Sequence, residues 1–208
     1  MSRETIISGT AALVDFPDID TDVLIPVEYC LDLERPHFDV ALFRKWRFHE
    51  DDSEIEEFVL NQSEYRDARI LVAGPNFGCG SSREMAVWAL HDFGIRCVIA
   101  PSFGDIFYNN CFNNGLLAAP VTDAGYARLC ELLRENKPQV LSADVSAKQV
   151  QLPNGELLDF EIDDLRREMF VEGLDPIAAT LTFAEDIARF EQRQATEWPW
   201  AQRLTSMR

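Results

Sequence analysis

The sequence predicts an α/β fold made of strand–helix–strand units around a glycine-rich loop. A short apolar run at residues 69–74 (RILVAG) predicts a buried strand and leads directly into a glycine-rich segment. A helix is expected next, with Ser81 or Ser82 as its N-cap and Gly94 as its end. A second apolar run at 96–100 is followed by proline and predicts a parallel strand, so these segments together form a βαβ unit.

The segments after this unit continue the alternation of helices and strands. They predict, in order, a helical turn at 105–110, an apolar strand at 116–119, a helix at about 124–135, a hairpin at 149–160 and helices near 163–172 and 184–193. In the hairpin, Asn154 and Gly155 are expected to supply the positive backbone angles of a tight turn. We expect the last helices to form a C-terminal layer packed over the sheet.

The length and composition are ordinary for a soluble globular protein. The chain has 208 residues, of which 47% are hydrophobic and 26% are charged. A chain of this size buries roughly 70% of its surface on folding. We therefore expect a single domain over residues 1–208, with a helical extension at about 161–208. The acid-rich stretch 49–57 is expected to be a solvated loop.

The formal net charge is -17, from 36 acidic and 19 basic residues. A field of this sign repels nucleic acid and anionic lipid, so neither is an expected partner. No segment approaches the ~20 apolar residues that span a bilayer, and the first residues show no signal-peptide pattern. We therefore expect a cytoplasmic protein, in which an anionic substrate needs a local site with donors of its own.

The cysteines and histidines do not support a metal site in this chain. The three histidines show no pair at ligand spacing and no triad order. The cysteines are odd in number, lack a Cys-x-x-Cys pair and are expected to be reduced, buried thiols. They are Cys30, Cys79, Cys97, Cys111 and Cys130. We therefore expect no metal to be bound by this chain.

Residues 74–84 (GPNFGCGSSRE) carry the main chemical signal. Glycines allow backbone N–H groups to approach a ligand, and the positive end of the following helix dipole points to the same place. The segment lacks the Lys-Ser/Thr pair of a phosphate-binding P-loop, and Arg83 occupies the position of the third glycine of a dinucleotide loop. The segment therefore predicts a pocket for another kind of anion.

Three side chains determine the chemistry of this pocket. The guanidinium of Arg83 offers a planar fork for a carboxylate. A serine hydroxyl at a helix N-terminus lies where its alkoxide is stabilised, so Ser81 or Ser82 could act as a base. The alternative is a pair of capping serines beside a surface arginine, and the spacing alone leaves both interpretations open.

A second polar cluster lies at residues 18–26 (DIDTDVLIP). It follows the pattern of a calcium-binding loop for three positions. Val23 then replaces the required glycine, and Tyr29 stands where the bidentate glutamate belongs, so calcium binding is not expected. The alternative is a solvated turn that leads into an apolar strand at 23–25.

These motifs resemble the family of 3-isopropylmalate dehydratase small subunits, the detached swivelling domains of the aconitase superfamily. The resemblance rests on residues 18–26, 74–84 and 101–116, with weaker similarity at 160–163, 172–175 and 198–200. It implies a swivelling-domain fold with β/β/α layers. It also implies a dehydration and rehydration that converts 2-isopropylmalate to 3-isopropylmalate in leucine biosynthesis.

The resemblance also implies roles for five residues of the two clusters. Ser81 would be the base that removes a proton from carbon. Ser82 and Arg83 would hold a substrate carboxylate. Thr21 and Asp22 match a Thr-Asp pair of the family and would belong to the substrate site.

The implied reaction needs a group that this chain does not offer. Hydroxide is a poor leaving group, and its departure needs a Lewis acid such as an iron with an open coordination position. No cysteine grouping in the sequence is suited to an iron–sulfur cluster. The resemblance implies that a large aconitase-like subunit carries a [4Fe-4S] cluster, in a heterodimer or heterotetramer with the active site at the interface, and that this chain binds no cofactor.

The sequence departs from the usual family pattern at three places. Met85 replaces a common histidine, Val87 stands where proline is frequent, and residues 27–31 (VEYCL) differ in a region that lines the substrate's side-chain pocket in relatives. Three hypotheses therefore stay open. They are isopropylmalate as substrate, the same chemistry on a methylmalate or dimethylmalate, and a non-catalytic anion-binding module.

Overall fold

The computed structural model describes residues 4–32, 35–135 and 138–202. The chain divides into two compact units, Met1–Gly173 and Leu174–Arg208. The last helix of the first unit, Asp164–Glu172, falls within the region that the sequence assigns to the extension. The single domain with an extension at about 161–208 stays a prediction.

One sheet of seven strands lies in the first unit. In chain order the strands are β1 (Ile6–Val14), β2 (Ile70–Ala73), β3 (Cys97–Ala100), β4 (Leu117–Pro120), β5 (Gln139–Asp144), β6 (Gln149–Gln151) and β7 (Leu157–Asp159). Their spatial order is β4-β3-β2-β1-β5-β6-β7. The first four pair in parallel, whereas β5, β6 and β7 are added antiparallel. The carboxyl ends of β1 to β4 therefore lie at one edge of the sheet.

The helices differ widely in length. Those of the first unit are α1 (Thr21–Leu24), α2 (Tyr29–Asp32), α3 (Arg44–Arg47), α4 (Glu84–Phe93), α5 (Asp105–Asn113), α6 (Asp123–Leu133) and α7 (Asp164–Glu172), with short 3-10 helices at Phe38–Ala41, Val59–Asn61 and Ser63–Tyr65. The second unit contains α8 (Pro176–Leu181), α9 (Ala184–Glu197) and α10 (Pro199–Gln202). Every helix in the described ranges is too short or too polar to cross a lipid bilayer.

The sheet has an apolar core on each face. Strands β2 and β3 are buried at every position, as expected for parallel strands that are covered on both sides. Along β2, Leu71 and Ala73 belong to one core and Ile70 and Val72 to the other, because successive side chains of a strand point to opposite faces. The first core also contains the buried side of α4 and the second that of α6. The predicted βαβ unit is thus confirmed.

The start of helix α4 differs from the prediction. Its N-cap is Arg83, which has an extended backbone and makes no side-chain capping bond. The predicted serine cap was wrong because the Arg83 N–H donates to the Ser81 carbonyl at 2.9 Å, and this tight turn precedes the helix. The end of the helix is as predicted, with Gly94 in the left-handed region at φ 117°.

The later elements follow the prediction closely. The helices at 124–135, 163–172 and 184–193 and the hairpin are present, and the expected turn at 105–110 is a longer helix, α5. Gly155 adopts a positive φ of 85°, whereas Asn154 instead accepts a hydrogen bond from the Glu156 N–H at 3.0 Å. The stretch 49–57 is a loop of turns and bends. The packing of the last helices over the sheet stays a prediction.

The sequence does not predict β1, β5 or α1. Strand β1 contains glycine, serine and threonine, and its stability depends on partners that are distant in sequence, since it pairs with β2 and β5. A strand at 23–25 was part of the alternative interpretation of the cluster at 18–26, but Val23 and Leu24 lie in helix α1. The helix forms because the Asp20 carboxylate accepts a hydrogen bond from the Val23 N–H at 2.8 Å and caps its first turn.

Candidate active site

The candidate site lies at the edge of the sheet where β1, β2 and β3 end. Because these strands are parallel, the loops that follow them come together at this edge. We name them loop A (residues 15–20), loop B (residues 74–83) and loop C (residues 101–104). Loop A leads into α1, loop B into α4 and loop C into α5. Loop B is the predicted glycine-rich loop.

Backbone hydrogen bonds hold loop A and the start of α1 against loop B. The bonds run from the Asp18 N–H to the Pro75 carbonyl (2.9 Å), from the Gly78 N–H to the Ile19 carbonyl (2.7 Å) and from the Thr21 N–H to the Cys79 carbonyl (3.0 Å). They continue the parallel pairing of β1 with β2 beyond the sheet itself. The position of loop B is therefore fixed along most of its length by its neighbour.

Loops B and C approach each other at two glycines. The Phe77 N–H donates to the Ser102 carbonyl at 3.0 Å, and the Gly104 N–H donates to the Phe77 carbonyl at 2.9 Å. Gly78 has φ +72°, and a Cβ atom on it would lie 2.2 Å from the Phe107 ring. A Cβ atom on Gly104 would lie 2.6 Å from the Gly78 carbonyl oxygen. Side chains at these two positions would separate the loops.

Asn76 joins all three loops through one residue. Its side-chain amide donates to the Asp18 carboxylate at 2.7 Å, and its backbone N–H donates to the Ser102 hydroxyl at 2.9 Å. Its φ is +60°, a conformation that asparagine tolerates better than most residues. The sequence alone does not predict this contact, although Asn76 and Ser102 both lie in motifs that carry the family resemblance.

Ser81 and Ser82 are both exposed. Ser81 lines an open groove of about 390 Å³ that is also bordered by loop C and the start of α5. In the described part of the chain, the backbone N–H groups of Gly80, Ser81 and Ser82 donate to no protein acceptor. Gly80 and Ser81 line the groove, so their N–H groups and the Ser81 hydroxyl are available to an anion in it.

Arg83 is held on one side and open on the other. Its side chain is 16% exposed, and Nη1 donates to the Asp22 carboxylate at 2.5 Å and to the Ile25 carbonyl at 3.3 Å. Within the described ranges, Nε and Nη2 have no hydrogen-bond partner. These two nitrogens form the edge of a guanidinium that binds a carboxylate with two parallel hydrogen bonds.

Thr21 and Asp22 differ in exposure although they are adjacent. Thr21 is 1% exposed, and its hydroxyl donates to the Ser81 carbonyl at 2.9 Å. The Asp22 side chain is 54% exposed and contacts Arg83. The structure therefore brings the predicted residues together in two pairs, Thr21 with Ser81 and Asp22 with Arg83. Ser82 adjoins both serine and arginine but makes no side-chain hydrogen bond among the described residues.

The thiols near this site are protonated at neutral pH. Burial, followed by the charges of Asp20 and Asp18, raises the pKa of Cys79 in loop B. Burial also raises the pKa of Cys30. Across residues 4–32, 35–135 and 138–202, no three side chains of the His, Cys, Asp or Glu type are arranged to hold a metal ion. The residues present do not suit an iron–sulfur cluster on this chain.

Two protein-family models match the chain. The model of the aconitase C-terminal domain matches residues 1–123. The model of the C-terminal domain of the 3-isopropylmalate dehydratase small subunit matches residues 177–203. The first match contains loops A, B and C, and the second lies within the unit Leu174–Arg208.

Curated relatives match over nearly the whole chain. A 3-isopropylmalate dehydratase small subunit of Mesorhizobium japonicum is 45% identical over 97% of this chain and 100% of its own length. The small subunit of Brucella canis is 46% identical with the same coverage. A crystal structure of a 3-isopropylmalate dehydratase chain from Methanocaldococcus jannaschii superposes with a TM-score of 0.64 at 27% identity, covering 88% of this chain and 98% of that one.

Proposed function

Because the chain belongs to the family of 3-isopropylmalate dehydratase small subunits, we propose that Ser81 and Arg83 form this subunit's part of a hydro-lyase active site. Membership makes the chain a component of a dehydratase, with an implied role in leucine biosynthesis. The two alternatives, a different malate and a non-catalytic binding module, are not favoured by these relatives. The mixed sheet and the aconitase-type match agree with the expected swivelling-domain fold.

One observation carries the assignment of the site. The exposed Ser81 hydroxyl borders a groove, and two residues later the Arg83 guanidinium keeps its Nε and Nη2 edge free. A substrate carboxylate on that edge, with Ser82 as a further donor, would be anchored beside Ser81. The free N–H groups of Gly80 and Ser81 would support the developing negative charge.

We propose that Ser81 is the base of the reaction. In its alkoxide form it would take the proton from the carbon next to the one that bears the hydroxyl. The hydroxyl would leave as water after it is protonated by an acid of the large subunit, and an unsaturated dicarboxylate would remain. In the reverse addition, Ser81 would return the proton to the carbon that had carried the hydroxyl. The hydroxyl of a water molecule would add to the adjacent carbon, which had lost the proton. The relatives' names indicate 3-isopropylmalate for this exchange. We propose that the isomer with the hydroxyl on the adjacent carbon, 2-isopropylmalate, is the substrate and 3-isopropylmalate the product.

The charge at the site supports a shared active site. A substituted malate carries two carboxylates. Loops A and B contain one cationic side chain, Arg83, against the carboxylates of Asp15, Asp18 and Asp20, and Asp22 adds another at the start of α1. The binding of a second carboxylate therefore needs positive charge from outside loops A and B. Since the relatives are small subunits, a large subunit is the expected source.

We further propose that this partner is a large aconitase-like subunit, in a heterodimer or heterotetramer located in the cytoplasm. It would carry the [4Fe-4S] cluster that serves as the Lewis acid for the hydroxyl group. Exposed apolar side chains next to the site, at Phe16, Val27 and Ile106, suit the surface that this partner would cover.

The test is reconstitution of the complete enzyme. The chain is co-expressed with the large aconitase-like subunit of its own organism and purified without oxygen, and conversion is measured for 2-isopropylmalate, a methylmalate and a dimethylmalate. We expect conversion only when both chains are present, with 2-isopropylmalate as the best substrate. Preference for another malate would contradict the substrate, and an assembled, cluster-loaded complex inactive on all three would contradict the function.

The role of Ser81 is tested in the same complex. We expect Ser81→Ala to lower kcat by several orders of magnitude while the two chains still co-purify. The matched control is Ser63→Ala, because Ser63 is exposed in a 3-10 helix and, in the part of the chain that the structure describes, its hydroxyl bonds only to Glu64. Near-normal turnover of Ser81→Ala would show that another group is the base.

A further inference from the structure

The segment that presents Ser81 has few restraints of its own. It follows two glycines with positive φ, Gly78 and Gly80, and the N–H groups of Gly80 and Ser81 donate to no protein acceptor in the described chain. The Ser81 carbonyl, in contrast, accepts two hydrogen bonds of 2.9 Å. One comes from the Arg83 N–H two residues ahead, and the other comes from the Thr21 hydroxyl. Only the second connects Ser81 to another part of the fold.

Thr21 contacts loop B at two points. Its backbone N–H donates to the Cys79 carbonyl and its hydroxyl donates to the Ser81 carbonyl, so the two bonds lie on either side of Gly80. A Cβ atom on Gly80 would lie 3.8 Å from the Thr21 hydroxyl oxygen and 3.3 Å from the Asp20 Cβ. Loop B therefore lies directly against Thr21 at Gly80, the most flexible position of the loop.

The Thr21 side chain is fixed by the core. Thr21 is the first residue of α1, which is capped by Asp20 and ends with the fully buried Leu24. A β-branched side chain has restricted rotation about χ1, and the bond to the Ser81 carbonyl defines the rotamer in which the Thr21 hydroxyl points at loop B. Thr21 is also 1% exposed and its hydroxyl hydrogen is already donated, so the residue is out of reach of a substrate in the groove.

We propose that Thr21 is a positioning residue that sets the orientation of Ser81 through the bond between its hydroxyl and the Ser81 carbonyl, and that it makes no substrate contact itself. The inference rests on the proposed role of Ser81 as the base. Loss of the bond leaves carboxylate binding by Arg83 intact but lets the Ser81 backbone rotate away from the reacting carbon. Misplacement of this kind lowers the rate of the chemical step, and not the affinity for the substrate.

The test compares three variants at position 21 in the complex with the large subunit. Thr21→Val keeps the shape and removes the donor, and we expect kcat to fall by about 10- to 100-fold with KM within about twofold of wild type. Thr21→Ser keeps the donor and is expected to turn over within about threefold of wild type. Thr21→Cys fills a similar volume with a weak donor and is expected to lie between them, which gives a second comparison should Thr21→Val fail to assemble.

The matched control is Ser8→Ala. The Ser8 hydroxyl also donates to a backbone carbonyl, that of Leu141 at 3.3 Å, but it does so between β1 and β5 near the opposite end of β1 from the site. We expect this variant to keep wild-type kcat and KM per assembled complex. A fall in kcat equal to that of Thr21→Val would indicate a general effect of losing a hydroxyl and would overturn the inference.

The outcomes separate this inference from the function on which it rests. If Ser81→Ala is inactive but assembled Thr21→Val has normal kcat, the positioning role fails and the role of Ser81 stands. If Thr21→Val raises KM and leaves kcat unchanged, Thr21 is a substrate contact and the inference is overturned. If Ser81→Ala turns over normally, the role of Ser81 as base fails independently of any result at Thr21.

Discussion

The Arg83 guanidinium donates to the Asp22 carboxylate at 2.5 Å and so connects helix α1 to the end of loop B. The contact uses only Nη1, and the Nε and Nη2 edge stays open. Asp22 therefore orients the arginine without occupying the face that would bind a substrate carboxylate. This relationship gives separate expectations for the two residues.

Replacement of Arg83 by lysine should impair the enzyme although the charge is kept. A lysine ammonium is a point charge and cannot form two parallel hydrogen bonds with one carboxylate. We expect Arg83→Lys to lower kcat/KM by at least about tenfold, which corresponds to about 1.4 kcal/mol. Steady-state kinetics of the complex measure this, with Arg128→Lys as the control, since Arg128 bonds to Glu131 and Glu156 away from the site. Unchanged kinetics of Arg83→Lys would contradict a forked carboxylate contact.

Asp22 should act through Arg83. We expect Asp22→Ala to lower kcat/KM in the wild-type background and to have little further effect in the Arg83→Ala background. Two residues that form one unit show a coupling free energy of about 0.5 to 3 kcal/mol in a double-mutant cycle. The cycle is measured from kcat/KM of the four proteins. Additive effects would mean instead that Asp22 contacts the substrate independently.

Gly78 should not tolerate a side chain. An alanine at φ +72° has the cost of the left-handed region, about 1 to 2 kcal/mol, and its Cβ would overlap the Phe107 ring at 2.2 Å. We expect Gly78→Ala to lower the free energy of unfolding by about 3 kcal/mol or more, measured by urea denaturation of the isolated chain. Gly155→Ala is the control, because Gly155 has φ +85° with no atom within 4 Å of the added Cβ. An equal loss in both variants would show that steric overlap contributes nothing.

The stability that Tyr126 provides should depend on pH in the acidic range. The hydrogen bond from the Tyr126 hydroxyl, at 2.5 Å, is the main cause that lowers the pKa of Asp15 below its ordinary value of 3.8, and the Arg134 guanidinium contributes further. A carboxyl whose pKa is lower in the folded state stabilises the protein above its unfolded pKa, and this contribution disappears as pH falls through the folded pKa.

We therefore expect Tyr126→Phe to be less stable than wild type at about pH 7, by about 1 kcal/mol, and the difference to shrink towards about pH 3. Urea denaturation at the two pH values measures this. Tyr65→Phe is the control, since the Tyr65 hydroxyl makes no hydrogen bond among the described residues, and its effect should not change over this range. A difference for Tyr126→Phe that is the same at both pH values would contradict the coupling to Asp15.

The sequence predicts the elements that it encodes locally. Residues 70–74 and 97–100 are continuously apolar, and Gly94 stops the helix between them, so β2, α4 and β3 follow directly. Strand β1 is not predictable in this way, because small and polar residues become a strand only through pairing with β2 and β5. Helix α1 depends on a single cap, the Asp20 carboxylate, which outweighs the strand preference of an apolar run.

In the candidate site, too, the features that are encoded locally can be predicted from the sequence, and those that depend on contacts between distant segments cannot. The sequence pattern and the family resemblance single out Ser81, Arg83 and Asp22, and the structure brings them together. The target of the Thr21 hydroxyl is not encoded in either motif alone, because it depends on how loop A lies along loop B. The prediction that Ser81 or Ser82 caps helix α4 was wrong for the same reason, since the turn from Ser81 to Arg83 exists only in the folded loop.

The close approach of Gly78 and Gly104 restricts how this region can be re-engineered. In a chimera, one of these loops comes from a relative and the other stays in place. A side chain at position 104 of loop C would then overlap the Gly78 carbonyl oxygen of loop B. Transfer of either loop between relatives therefore requires glycine to be kept at both positions, or loops B and C to be transplanted as one block together with Phe107, which packs against Gly78.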